Sequence, residues 1–191
     1  MQELVLIKLG GSVVTDKTQE FYARERNISR FAGEIKSTLK SSKRKIIVGH
    51  GAGSFAHIPA KKYKTKEGLI ATNSLFGAAV TEEAAKMLNG IVVKKFISKK
   101  IPVYSFSPGT FLISDSKVYI KSYIEPVQKA LEIGIVPVVY GDVVIDRKIG
   151  FTIFSTEKVL TVLAKELCKD YKVRMIYVTD VDGVYDETGK T

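Results

Sequence analysis

Short apolar runs separated by polar segments recur along the chain. Four of them end in small or polar residues and occupy positions 4–9, 45–49, 135–140 and 173–179. Runs this short and this uniformly apolar are typical of strands that are covered on both faces, as in a parallel sheet. Because the carboxyl ends of parallel strands meet at one edge of a sheet, we expect the four ends to form a single ligand site.

Helical periodicity between these runs completes an α/β pattern. Apolar residues recur on one face from Ile28 to Leu39, with Asn27 as a candidate N-cap. Further helices are predicted over 81–99, 126–133 and 156–167, a further strand over 101–106, hairpins around 114–116 and 146–148, and an irregular polar loop over 63–74. Alternation of strand and helix predicts parallel pairing with right-handed crossovers.

Two glycine-rich turns follow the first two strands. Gly10-Gly11-Ser12 follows the first strand, and Gly51-Ala52-Gly53 follows the second. Such turns let backbone N–H groups approach an anion, and phosphate is the anion that suits them best. Lys8 and Lys17 flank the first turn, and His57 follows the second. These residue types suit phosphoryl transfer, which needs positioning, neutralised charge and donors on the moving oxygens.

Composition narrows the class of protein. The chain has 191 residues, a net charge of +10 and a single cysteine. Its size suits one domain, and its charge favours anionic partners, either phosphorylated metabolites or nucleic acid. The basic segments lack the interleaved aromatics of single-strand nucleic-acid binders, and no apolar run is long enough to span a membrane. Cys168 has no partner for an internal disulfide, so we interpret it as a small core residue of a cytoplasmic protein.

Three familiar motifs fit the chain poorly. The segment 51–56 has the spacing of a dinucleotide fingerprint, but the acidic residue expected about twenty positions later is missing, and Pro59 disfavours helix at Ile58. The segment 183–191 resembles a Walker A loop with five residues between its glycines instead of four. Two histidines and one cysteine show no spacing typical of a zinc site.

Four sequence blocks resemble a known family. Residues 7–17, Ile-Lys-Leu-Gly-Gly-Ser-Val-Val-Thr-Asp-Lys, resemble the opening of the amino acid kinase superfamily. Residues 50–57, His-Gly-Ala-Gly-Ser-Phe-Ala-His, are similar to the isopentenyl phosphate kinases and their close relatives, the fosfomycin kinases. Residues 137–143 and 179–185 match later family blocks in the same order. The resemblance covers essentially the whole chain.

The resemblance implies a three-layer αβα sandwich with a mainly parallel central sheet. It also implies transfer of the ATP γ-phosphoryl group to isopentenyl phosphate, as in archaeal isoprenoid synthesis. The expected cofactor is ATP with Mg²⁺ carried on its phosphates, and no metal-ligating residue is expected. The expected partners are the small-molecule substrate and a second copy of the chain in a homodimer, with neither nucleic acid nor membrane.

The resemblance also assigns residue roles. Lys17, His57 and Lys8 are the expected catalytic residues: Lys17 stabilises charge in the transition state, and His57 donates a hydrogen bond to the substrate phosphate. The residues expected to bind the acceptor are Ala52, His57 and Gly141. The residues expected to bind ATP are Lys8, Gly10, Gly11, Ser12, Gly53, Glu157, Asp180, Asp182, Gly183 and Tyr185.

The chain departs from the family pattern in three places. Ala56 stands where glycine is usual, and Ser155-Thr156-Glu157-Lys158 stands where Ser-Gly-Asp-Asp is common. The family continues with a Gly-Gly-Met-x-x-Lys segment that has no counterpart here. We therefore expect one domain, 1–191, that lacks its C-terminal part. Two alternatives remain open: a kinase of another phosphate or phosphonate, and a non-catalytic phosphate-binding relative.

Overall fold

The computed structural model describes residues 1–180; the predicted nucleotide contacts Asp182, Gly183 and Tyr185 lie outside that range. The strands are β1 (Gln2–Leu9), β2 (Lys45–His50), β3 (Val103–Phe106), β4 (Leu112–Asp115), β5 (Val118–Ser122), β6 (Val136–Tyr140), β7 (Asp142–Asp146), β8 (Gly150–Phe154) and β9 (Tyr171–Val178). The helices are α1 (Gly11–Val14), α2 (Glu25–Ser41), α3 (Gly53–Lys62), α4 (Ser74–Ser98), α5 (Pro108–Phe111), α6 (Glu125–Glu132) and α7 (Thr156–Leu167), with a short 3₁₀ helix over Thr65–Glu67.

The central sheet is parallel, in the order β3-β6-β2-β1-β9. Near the carboxyl end of β1, Lys8 pairs with Gly49 of β2 and with Tyr177 of β9. The predicted parallel pairing of the first two strands is confirmed. The carboxyl ends of β1, β2, β6 and β9 therefore lie along the same edge of the sheet.

Two apolar clusters cover the two faces of this sheet. Val48 of β2 belongs to a buried cluster with Ile28 of α2 and Leu88 of α4. Its neighbour Ile47, pointing the other way, belongs to a second cluster with Leu160 of α7. Alternate residues of a strand face opposite sides, so both faces of the sheet are buried under helices. This three-layer α/β arrangement confirms the expected fold class.

A second sheet, in the order β5-β4-β7-β8, carries the two predicted hairpins. The buried Asp146 ties them together at their turns. Its carboxylate accepts hydrogen bonds from the Ser114 hydroxyl and from the backbone N–H groups of Ser116, Lys117, Lys148 and Ile149. Burial opposes its charge, but these donors outweigh that cost and lower the pKa of Asp146 to about 2.

Two helices begin earlier than the sequence indicated. Helix α2 starts at Glu25, and Asn27 does not cap it; the Asn27 side-chain amide donates to the carbonyl oxygen of Val13 at 3.1 Å. Helix α4 starts at Ser74 rather than at position 81. The Ser74 hydroxyl accepts the N–H of Ala71 at 3.0 Å, which organises a segment whose polar composition had indicated a loop.

Two local predictions were wrong. Residues 53–62 form α3 with Pro59 inside it, although proline removes a hydrogen bond from a helix interior. Ala56 of this helix packs in a small buried cluster with Ala84 and Ala85 of α4, and tertiary packing of this kind contributes more to the stability of a protein helix than local propensity does. Cys168 is exposed at the C-cap of α7 rather than buried, because the helix ends one residue before it.

None of the helices within residues 1–180 combines the length and the hydropathy that a membrane span requires.

Candidate active site

The carboxyl ends of β1, β2, β6 and β9 border a cavity of about 410 Å³. Every predicted site residue within the described range lines it: Lys8, Gly10, Gly11, Ser12, Lys17, Ala52, Gly53, His57, Gly141, Glu157 and Asp180. The cavity also contains residues to which the sequence had assigned no role, among them Ala60, Thr81, Asp142 and Ile153. The sequence therefore located the cavity, and the roles of its residues remain predictions.

The two glycine turns pack directly against each other. The N–H of Gly51 donates to the carbonyl oxygen of Leu9 at 2.9 Å. A Cβ atom on Gly51 would lie 2.7 Å from the backbone nitrogen of Gly11, and one on Gly11 would lie 3.0 Å from the Cα of Gly53. Gly53 itself has a φ of +50°, which side chains rarely adopt. Only bare backbone fits here, so peptide groups form this wall of the cavity.

Thr15 joins the two turns, and the sequence analysis missed it. Its buried hydroxyl donates to the carbonyl oxygen of Gly11 at 2.7 Å and accepts the N–H of Ser54 at 3.0 Å. One side chain thus satisfies a backbone acceptor of the first turn and a backbone donor of the second. In the sequence, Thr15 is distinguished only as a polar residue that directly follows the apolar pair Val13 and Val14.

Lys8 and Glu157 form an ion pair at the centre of the cavity, with Nζ 2.7 Å from Oε1. Glu157 lies in the first turn of α7, after the N-cap residue Ser155. Burial opposes the charge of Glu157, but the hydrogen bond and the charge of Lys8, together with hydrogen bonds from the backbone and Ser155, outweigh burial and keep the pKa of Glu157 below its usual value. The longer arm of Glu157, at a position where the family commonly has a shorter carboxylate, reaches the strand lysine.

A closed loop carries Lys17 to the cavity. Thr15 and Ala23 pair across the base of this loop, and the Asp16 carboxylate accepts the N–H of Thr18 at 2.9 Å. At the far side, the ring of Phe21 packs edge-on against Phe55 of α3, with ring centroids 5.4 Å apart. The loop is therefore anchored both to itself and to the helix that carries His57.

Ser12 and Asp180 contact each other at the side of the cavity near β9. The Ser12 hydroxyl donates to Oδ1 of Asp180 at 2.8 Å, and this bond is the main cause of the lowered pKa of Asp180. The contact ties the turn after β1 to the segment after β9. Both residues were predicted to bind the nucleotide, and they meet in space although 168 positions separate them.

His57 projects from α3 into the cavity. Burial, and next the positive charge of Lys17, lower the pKa of His57 and keep its imidazole neutral at neutral pH. A neutral imidazole retains one N–H that can donate to an anion. Ala56, the departure from the usual glycine, is an ordinary helical residue of α3 and leaves the backbone that leads to His57 regular.

The other histidine, His50, has a structural role. His50 is fully buried, and its ring stacks on Tyr140 with centroids 5.5 Å apart. Its Nε2 lies 3.2 Å from Oδ1 of Asn89, and its Nδ1 lies 3.2 Å from the carbonyl oxygen of Gly51. His50 therefore supports the glycine turn from behind and does not line the cavity.

Comparisons with known proteins agree with this geometry. The model of the amino acid kinase family matches residues 3–191. The isopentenyl phosphate kinases of Methanocaldococcus jannaschii and Methanothermobacter thermautotrophicus are each 36% identical to the chain. The first match covers 95% of the chain and 70% of the relative, and the second covers 98% and 71%.

Solved structures show the same fold. A crystal structure of an isopentenyl phosphate kinase superposes with a TM-score of 0.85 at 35% identity, covering 95% of this chain and 74% of that one. The product complex of the Thermoplasma acidophilum isopentenyl phosphate kinase has a TM-score of 0.80 at 27% identity, covering 96% and 73%. Sequence, fold and cavity agree, and the chain belongs to the amino acid kinase family.

Proposed function

We propose that this protein transfers the γ-phosphoryl group of ATP to isopentenyl phosphate, forming isopentenyl diphosphate and ADP. One observation supports the proposal above all: Lys8, Lys17 and His57 line the same cavity as glycine backbone that has no side chains. The relatives at 36% identity are named isopentenyl phosphate kinases, which supports the choice of acceptor.

The half of the cavity between β1 and β9 suits the phosphates of ATP. Gly10 and Gly11 offer backbone without side chains, and the ammonium of Lys8 stands beside them. Phosphate oxygens are bound well by such backbone and by lysine.

Within residues 1–180 no cluster of three or more acidic, histidine or cysteine side chains could hold a metal ion. We propose that Mg²⁺ arrives on the nucleotide, where it would neutralise charge on the phosphates.

The other half of the cavity suits a phosphate with a short hydrocarbon tail. The amino end of α3 favours an anion, and His57 and Gly141 line the same region. The apolar side chains of Ala56, Ala60 and Ile153 also line the cavity, alongside the polar side chains of Thr81 and Asp142. This combination of a phosphate cradle and apolar side chains matches isopentenyl phosphate better than a wholly polar acceptor.

The chemistry requires little covalent help from the protein. An oxygen of the acceptor phosphate attacks the γ-phosphorus, a new P–O bond forms, and the bond to the β–γ bridging oxygen breaks, so that ADP leaves. The acceptor is a dianion at neutral pH and needs no base. Lys17 neutralises charge on the phosphoryl group in transit, while His57 and the backbone at Ala52 and Gly141 hold the acceptor in line.

Phosphorus NMR of the protein with Mg-ATP and isopentenyl phosphate tests this function. We expect the signals of a new diphosphate to grow with time, and no such signals with fosfomycin in place of isopentenyl phosphate. Product from fosfomycin alone would identify a phosphonate kinase. Calorimetric binding of Mg-ATP without turnover of either acceptor would identify a non-catalytic relative. A version extended at its C-terminus, run in parallel, would report whether further residues raise the rate.

We also propose that the 191 residues form one domain that assembles as a cytoplasmic homodimer. Light scattering after size-exclusion chromatography tests the assembly, and a mass of about 42 kDa, twice the 21.1 kDa of the chain, is expected. A mass near that of one chain at all concentrations would contradict it.

A further inference from the structure

Asp142 is a buried carboxyl in the wall of the cavity, and the reaction proposed above gives it no role. It lies beside Gly141 in the acceptor half and is 2% exposed. Its Oδ1 accepts the N–H of Val143 at 2.7 Å, and its Oδ2 accepts the Ser107 hydroxyl at 3.2 Å. Both partners are uncharged, so the carboxylate has neutral hydrogen bonds where a buried ion usually has an ion pair.

The charged groups around Asp142 do not compensate its charge. On α4, Lys86 is paired with Glu82 at 2.5 Å, so that the two nearest charges of opposite sign largely cancel. On β6, Tyr140 interacts with the same Ser107 hydroxyl. Burial is the largest influence on the pKa of Asp142. The hydrogen bonds from Val143 and Ser107 and the charge of Lys86 oppose the increase, Glu82 adds to it, and the net effect raises the pKa of Asp142 to about 7.

Other elements also present titratable groups to the cavity. They are His57 of α3, Lys17 of the loop between α1 and α2, the Lys8–Glu157 pair of β1 and α7, and Asp180 after β9. His57 is neutral at neutral pH, and Lys8 is already paired, so neither supplies Asp142 with a fixed countercharge. Among the lining residues that the structure describes, Lys17 is the remaining cation, and the proposed reaction uses it at the phosphoryl group in transit. A second anion placed in this space therefore adds its charge to that of Asp142.

We propose that, above neutral pH, seating the acceptor phosphate beside Gly141 drives the transfer of one proton from solvent to Asp142, whose carboxyl is then mostly ionised in the empty site and neutral in the occupied one. This inference rests on the proposed function, which places a phosphate dianion there. Two like charges in one buried space repel strongly, and protonation of the weaker acid relieves the repulsion. The Ser107 hydroxyl donates to the carboxylate and can rotate to accept from the acid, so the neutral form stays hydrogen-bonded.

The consequence is an acceptor affinity that falls as the pH rises above neutrality. With Asp142 ionising at about pH 7 in the empty site, linkage predicts a loss of about fivefold in acceptor affinity between pH 7 and pH 8. The acceptor's own second ionisation, near pH 6, is complete in that interval and adds no trend of its own. The affinity for Mg-ATP alone should not follow the same curve.

Isothermal titration calorimetry of isopentenyl phosphate at pH 8, in buffers of different ionisation enthalpy, tests the proton transfer. The dependence of the observed heat on buffer enthalpy gives the number of protons taken up. We expect roughly one proton per site for the unchanged protein and close to none for Asp142→Asn. Ser107→Ala removes a donor to the carboxylate, so it should shift the onset of proton uptake to higher pH without removing the carboxyl.

The variant His57→Gln separates Asp142 from the other titratable group near the phosphate. The inference is overturned if the unchanged protein and Asp142→Asn take up the same number of protons. It is also overturned if proton uptake disappears only in His57→Gln. If Asp142→Asn does not fold, an unshifted uptake curve for Ser107→Ala overturns it. Inorganic phosphate serves as a second probe: heat from phosphate but not from isopentenyl phosphate contradicts only the proposed acceptor, and no heat from either overturns both proposals.

Discussion

At the scale of single residues, the charged side chains of the cavity differ in whether they are already engaged by a partner. Lys8 is engaged by Glu157 at 2.7 Å, whereas Lys17 stands on a loop that is anchored by other residues. His57 is neutral because it is partly buried near a lysine. These differences predict different kinetic defects when each side chain is removed.

Removal of His57 should impair turnover much more than stability. His57→Ala deletes a donor to a charged phosphate, which corresponds to about 1.5–3 kcal/mol, or roughly a 10- to 100-fold loss in kcat/KM for the acceptor. Steady-state kinetics and thermal unfolding measure the two effects. Lys61→Ala, an exposed change on the same helix, is the matched control. Near-normal turnover by His57→Ala would remove His57 from the mechanism.

Removal of Lys17 should lower the chemical rate more than the affinity for ATP. A charge that acts on the phosphoryl group in transit contributes to the transition state and little to the ground state. For Lys17→Ala we expect kcat to fall by on the order of 100-fold or more, with the Kd for Mg-ATP changed by less than about threefold. Lys94→Ala removes an exposed positive charge elsewhere and controls for net charge. A pure loss of ATP affinity would contradict the assignment.

At the scale of elements, the site depends on how two strand-to-helix turns meet. Each turn is glycine-rich because the other approaches too closely for a side chain. Thr15 supplies the only side-chain hydrogen bonds within residues 1–180 that join the two turns. Parallel strands place these turns side by side, and the glycine contacts set their separation.

Because the Thr15 hydroxyl joins the two turns, we expect its removal to lower the stability of the folded protein. Thr15→Val keeps the shape but leaves the buried N–H of Ser54 without its acceptor, while the carbonyl oxygen of Gly11 keeps the backbone N–H of Thr15. We expect a loss of about 1–3 kcal/mol in the free energy of unfolding, measured by urea titration. Thr15→Ser retains the hydroxyl and should recover most of that loss. Equal stability of Thr15→Val and Thr15→Ser would show that these hydrogen bonds contribute little.

At the scale of the whole molecule, one cavity serves two ligands through different elements. The donor half rests on β1 and β9, and the acceptor half rests on α3, the segment after β6, and β8. A ligand that binds only the folded state stabilises it, by about 2.7 kcal/mol at 100 times its Kd. The two halves should therefore be separable by ligand-induced shifts in Tm.

We expect Mg-ATP and isopentenyl phosphate, each at 100 times its Kd, to raise Tm by about 5–10 °C. In His57→Ala, the shift at the same concentration of isopentenyl phosphate should shrink, because the acceptor loses a contact. The shift caused by Mg-ATP should remain. Differential scanning fluorimetry gives both values, and a parallel loss of both shifts would contradict the division of the cavity into two halves.

Much of this molecule could be predicted from its apolar pattern. The continuous run in β1 and its glycine turn indicated a strand buried on both faces that ends at a ligand site, and both features are present. The predictions that failed concern single side chains and helix bounds: Asn27 as a cap, Cys168 in the core, and Pro59 as a barrier to helix. A helix boundary depends on which distant groups offer hydrogen bonds, and local propensity does not report them.

The sequence by itself determined the layers of the fold and the edge of the sheet where the site lies. The spacing of apolar residues and the length of apolar runs follow directly from which faces of a helix or strand are buried. Only the tertiary structure decided which groups act on one another there. The hydroxyl of Thr15 meets Ser54 across 39 residues, and the buried carboxyl of Asp142 faces Ser107 across 35. Such contacts set hydrogen bonds and pKa values through distance and burial, and separation along a chain specifies neither of them.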